Sequence, residues 1–132
     1  MRFEQIRAII EVRLSEWDGV PVAYDNVTAG TAVQQAQDDG SPWVRLTILH
    51  GDSETASIGK TPNVRRTGTV MCQVFTAERQ GTREAMEIAD SLADHLQYHQ
   101  DDAFVLRAAS VNRVGVSDDW YQINVAVPFS AG

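Results

Sequence analysis

Two histidines, His95 and His99, stand four residues apart, the spacing at which imidazoles on one helix face can share a metal ion. No Glu follows His95, and the nearby acids Asp101 and Asp102 lie in a turn, so the third ligand such a site needs is missing. A histidine near the end of a helix also has a plainer use, meeting the negative end of the helix dipole. His50 and Asp52 suggest an acid–base pair, but no nucleophile with a Gly-x-Ser-x-Gly frame accompanies them; Ser53 and Ser57 sit in the same polar run without it. Gly59-Lys60-Thr61 matches only the tail of a phosphate-binding loop, because the first glycine of that motif would fall at Glu54. Cys72 is the sole cysteine and alternates with Val70 and Val74, the pattern of a small buried hydrophobe. A positioned acid, base and nucleophile are therefore not visible, and neither catalytic, cofactor-binding nor metal-ligating residues are assigned.

The elements that would carry these residues are readable from periodicity. Phe3, Ile6, Ile10, Leu14 and Trp17 recur every three or four residues and predict a first helix, stopped by Asp18-Gly19. Val20 to Tyr24, broken by Pro21, reads as an edge strand or extended arm, and Thr28 to Pro42 as a loop with one helical turn near Ala32 to Ala36. From Trp43 to Leu49 the period is two, with Val44, Leu46 and Ile48 on one face. Thr67 to Phe75 is a second strand covered on both faces. Thr82 opens a second helix, running to about His99, whose stripe is Ala85, Ile88, Ala89, Leu92 and Leu96. Ala109 to Val116 and the alternating run Tyr121, Ile123, Val125, Val127, Phe129 are the third and fourth strands. The turn Ser117-Asp118-Asp119 between them is too short for a parallel crossover.

The expected fold is α+β: an antiparallel or mixed sheet of about four strands, two helices packed on one face, and a long loop between the first two strands. A length of 132 residues and 43% hydrophobic content fit one domain, 1–132, with one core. A formal charge of −7 disfavours general binding to phosphate backbones, which rests on Lys and Arg releasing counterions. The N-terminus lacks the apolar run of a signal peptide and no stretch is long and apolar enough to span a membrane, so a cytosolic site of synthesis is expected. The glycosylation-like Asn26-Val27-Thr28 then carries no meaning.

The segment His50 to Arg66 remains. Structureless loops of more than about 12–15 residues are uncommon in compact domains and are usually disordered or used for binding. Its charges are sorted, Asp52 and Glu54 in the first half and Lys60, Arg65 and Arg66 in the second. These five residues are the candidates for a subunit or partner interface, against the alternative of solvated surface charge. Trp17, Trp43 and Trp120 fit either core lids or interface anchors.

Pro21-Val22-Ala23-Tyr24-Asp25-Asn26, Trp43-Val44-Arg45-Leu46-Thr47, Ser57-Ile58-Gly59, Arg66-Thr67-Gly68, Val74-Phe75, Trp120-Tyr121-Gln122-Ile123-Asn124-Val125 and Val127-Pro128-Phe129 occur in that order. Together they resemble the phage tail terminator family, the tail-completion or minor tail proteins of long, non-contractile-tailed phages and prophages. The resemblance implies an α+β subunit that forms a homo-oligomeric ring, a hexamer, on the last ring of the tail tube. It also implies an end to tube polymerisation, a surface that joins the head–tail connector protein, and a channel through which DNA passes without specific binding. Its location would be the head-proximal end of the virion tail, after assembly in the bacterial host cytoplasm, with no membrane and no cofactor. A neck or head-completion connector is the alternative within the same biology, and a small metal-dependent enzyme around His95 and His99 the alternative outside it.

Overall fold

The computed structural model describes residues 1–132. Its elements run α1 (Phe3–Ser15), β1 (Val22–Ala23), α2 (Thr31–Asp39), β2 (Trp43–Thr55), β3 (Val64–Ala77), α3 (Arg83–Leu96), β4 (Gln100–Asp101), β5 (Phe104–Leu106), β6 (Ser110–Ser117) and β7 (Trp120–Ala131). The class is α+β as expected, but the sheet has seven strands, not four. The extra ones are short: β1 pairs with β2 in parallel, and β4 and β5 form a small antiparallel pair.

β2, β3 and β7 make the antiparallel centre of the sheet. β7 has the most partners, pairing with β3, β5 and β6. Its first half pairs with β6 and its last residues with β5, and Pro128, which has no N–H to donate, falls in the seam between the two. Asp118 and Asp119 join β6 to β7 with φ of 52° and 70°, the left-handed pair that a two-residue hairpin turn demands.

One face of the sheet holds the main core. Ile6, Ile10 and Leu14 of α1 and Ala85, Ile88, Ala89, Leu92 and Leu96 of α3 close over Val44, Leu46, Val70, Cys72, Val74, Ile123, Val125, Val127 and Phe129. Full burial of each large aliphatic here contributes about 1.5–3 kcal/mol, which makes these two helices inseparable from the sheet. Trp17 Nε1 donates to Ser91 Oγ at 2.9 Å and ties the end of α1 to α3.

The opposite face carries a third helix where a loop was expected. In α2, Val33 and Ala36 are buried three residues apart against Ala23 and Trp43, and Gly40 at φ 75° terminates the helix in the left-handed conformation. Trp43 stacks on Phe75 at 4.3 Å and meets Trp120 edge-on at 6.2 Å. Arg45 lies over both Trp43 and Phe75, at 5.2 and 5.4 Å from the ring centroids. Trp43, Phe75 and Trp120 are thus the lid of a second, small core beneath α2.

Candidate functional site

The segment His50 to Arg66 is not a loop. β2 continues to Thr55 and β3 begins at Val64, so most of it is a two-stranded ribbon, and only Ala56 to Asn63 connects the strands. Beyond His50 every residue of β2 is exposed, and the ribbon extends past the sheet body into solvent. Both of its faces meet water, which removes the apolar–polar alternation by which strands are recognised.

A β-bulge marks its base. His50 pairs with Gly68 and Ser53 with Arg66, so Gly51 and Asp52 together oppose Thr67, and the hydroxyl of Thr67 donates to the Asp52 carbonyl at 3.1 Å. Such an insertion bends and twists the strand that carries it, re-aiming the ribbon relative to the sheet.

The base is also clamped to the start of α1. Arg66 Nη1 donates to the Met1 carbonyl at 2.9 Å, and its guanidinium lies 4.2 Å from the centre of the Phe3 ring. Phe3 in turn meets His50 edge-on at 5.3 Å, and His50 meets Phe129 at 6.2 Å. Gly68 makes this stack possible, since a Cβ there would run into the Leu49 carbonyl and the Phe129 ring. The row Arg66, Phe3, His50, Phe129 holds the projecting ribbon against the core.

The tip is ordered by its own polar groups. Ala56 N–H donates to the Asn63 carbonyl at 2.7 Å and Asn63 N–H to Ser57 Oγ at 2.9 Å. Ile58, between them, is fully exposed.

Of the five candidate interface residues, four are solvent-facing on this ribbon and one is not. Glu54 stands directly opposite Arg65 in the strand register. The three ion pairs of the molecule, Arg7 with Glu4 and Glu11 and Arg83 with Glu87, all lie within helices, so Asp52, Glu54, Lys60 and Arg65 are uncommitted. Arg66 is turned inward to Met1 and Phe3 and acts on the ribbon's orientation. Phe3, Gly68 and Ile58 were not singled out as site residues from the sequence. Ile58 left a usable signal there, as a large aliphatic residue amid the polar stretch Asp52 to Asn63.

The two histidines of α3 and the residues after it serve other ends. His95 Nε2 donates to the Arg13 carbonyl at 2.6 Å, while Arg13 Nε and Nη2 donate to the His95 carbonyl at 3.1 and 2.8 Å, a reciprocal clamp between the ends of α1 and α3. α3 ends at Leu96, so His99 lies beyond the helix and the i, i+4 geometry is not realised. Partial burial, and then the charge of Arg13, lower the His99 pKa from its ordinary value. No group of three or more His, Cys, Asp or Glu side chains is gathered. Burial pushes the Cys72 thiol up to about 12. No helix is long and apolar enough to cross a membrane.

A small α+β protein with a clamped ribbon projecting from its sheet displays uncommitted charges along that ribbon and gathers no catalytic or metal-ligating cluster. The family model described as phage tail terminator protein matches residues 5–129, and the chain belongs to that family. Membership gives it a tail terminator role and associates it with the phage tail. Among solved structures, one aligns over 100% of this chain and 96% of its own with a TM-score of 0.72 at 19% identity, a likeness that shows the fold. Comparison with curated proteins gives no match.

Proposed function

We propose that this protein closes into a homo-oligomeric ring, a hexamer, that caps the last ring of the tail tube, ends its polymerisation and presents the surface that joins the head–tail connector. It acts by contact and not by catalysis, and it works at the head-proximal end of the tail after assembly in the host cytoplasm. The observation that carries this reading is the family match over residues 5–129. Rings close when a head-to-tail, heterologous interface repeats by rotation, which needs two different complementary surfaces on each subunit. The β2–β3 ribbon supports this as one such surface, since it extends beyond the body and displays Asp52, Glu54, Lys60, Arg65 and Ile58 toward a neighbouring subunit or the tube. A subunit charge of −7 suits a channel through which DNA passes without being held.

The ribbon gives the test. Replacing Ala56–Asn63 by a two-residue Asn-Gly turn keeps the β2–β3 register and removes Ile58 and Lys60. The expected outcome is a monomer with unchanged unfolding temperature that neither forms rings nor yields joined tails. Tails of normal length joined to heads, from phage carrying that change, would remove the ribbon from the account.

A further inference from the structure

We propose that the outer edge of β6 in one copy of this chain adds to the open outer edge of β2 in the next, continuing the sheet from subunit to subunit and filling the groove beside α1. This deepens the ring reading and rests on it. Both ends of the sheet are unfinished. β6 pairs only with β7, and β1 covers only Val44 and Arg45 of β2, so the backbone groups along the outer side of β2 from Leu46 onward have no strand beside them. Exposed strand edges are templates for pairing, and proteins that stay monomeric usually blunt them with Lys, Pro or a covering element. β6, Ser-Val-Asn-Arg-Val-Gly-Val-Ser, carries neither Lys nor Pro; its one charge is Arg113, its one bulge lies between Arg113 and Gly115, and Val111, Val114 and Val116 are exposed along it.

The side chains fit the same assignment. Beside the open edge of β2 lies a groove of about 470 Å³ whose floor is Leu46 and Ile48 and whose rim includes Glu4, Glu11 and Asp25. Arg7, the one cation of that rim, is already paired with Glu4 and Glu11. On β6 the residues that share the helix-bearing face are Val111, Arg113 and Val116, paired across to Val125, Ile123 and Tyr121. An apolar row interrupted by one arginine therefore faces an apolar floor whose rim keeps one uncommitted acid, Asp25.

Strand direction agrees as well. β2 is antiparallel to β3, β3 to β7 and β7 to β6, so β6 runs opposite to β2 within each chain. Rotation about an axis along the strands preserves direction and face. A neighbour's β6 then meets β2 antiparallel, with its valines on the groove side. This surface is distinct from the ribbon tip.

Mixed single-site variants of the full chain, Ile48→Cys with Val116→Cys, read the groove face, and Leu49→Cys with Asn112→Cys read the opposite face without altering the groove. Cys72 is fully buried and leaves the background clean. A bismaleimide that tolerates a two-residue slip, about 7 Å at the strand rise, is added after assembly is measured by native mass spectrometry. Rings with cross-linked heterodimers in either pair, and at least tenfold less cross-linking between copies of one variant, are the expected result. Rings without heterodimers in both pairs overturn edge pairing and leave the ring reading intact. Monomers alone, with and without tail tubes, overturn the ring reading and this inference with it.

Discussion

Replacing Arg66 by methionine removes the guanidinium while keeping most of the side chain's length, and the structure sets the size of the effect. The contact with the Phe3 ring at 4.2 Å is only partly desolvated, which places it at about 1 kcal/mol. The bond from Nη1 to the Met1 carbonyl involves a charged donor, worth about 1.5–3 kcal/mol when buried and roughly half that at this partly buried site. Against these stands Nε, which is buried without a partner and costs about 1 kcal/mol, relieved by the substitution. The net loss is about 0.75–1.5 kcal/mol, or a fall in Tm of about 3–5 °C for a chain of this size. Calorimetry of Arg66→Met, Phe3→Leu and the double variant isolates the ring contact, with an expected coupling of about 0.5–1 kcal/mol. Hydrogen exchange supplies the local readout: amides of Ser53 to Thr55 exchange faster in Arg66→Met, because the ribbon's base has lost its clamp. Unchanged stability together with zero coupling would mean that Arg66 is solvated and the ribbon is not held as described.

Charge reversal at Lys60, by contrast, leaves Tm unchanged and weakens assembly most at low salt, as measured by native mass spectrometry across ionic strengths; equal assembly at all salt concentrations removes this charge from the interface. Gly68→Ala forces a Cβ against the Leu49 carbonyl and Phe129 and is expected to cost about 1–3 kcal/mol in denaturant melts, whereas a neutral result would show that β2 and β7 give way. His99 has a lowered pKa, so the unfolded chain binds the proton more readily and stability falls as pH drops through the ordinary histidine range toward the lowered folded value. His99→Gln flattens that part of the pH profile, and an unchanged slope assigns it to other groups.

The strands that bury one face were legible because burial writes a period of two into the chain, as in Tyr121, Ile123, Val125, Val127 and Phe129. The helices α1 and α3 were legible through stripes such as Ile6, Ile10, Leu14 and Ala85, Ile88, Ala89, Leu92, Leu96. α2 escaped, because a short helix resting on the sheet by Val33 and Ala36 needs only two apolar residues, too few for a period. The ribbon escaped for the opposite reason. Its residues are polar on both faces, its pairing comes from backbone hydrogen bonds that any side chain permits, and Gly51-Asp52 adds a residue that breaks what alternation there is. The sorting of acids before bases was visible and has a structural meaning, since an acidic half on β2 and a basic half on β3 places Glu54 opposite Arg65. The inward turn of Arg66 depends on Phe3, more than sixty positions away in the chain, and on the room left by Gly68. Periodicity carries no information about such a long-range arrangement.

Electron microscopy of the purified protein mixed with tail tubes decides whether it caps the tube as a ring. Rings of six subunits in end-on views and a single cap at one end of each tube are expected, with tubes that no longer elongate when tube protein is added. Uncapped tubes that continue to grow in the presence of excess protein would contradict that role.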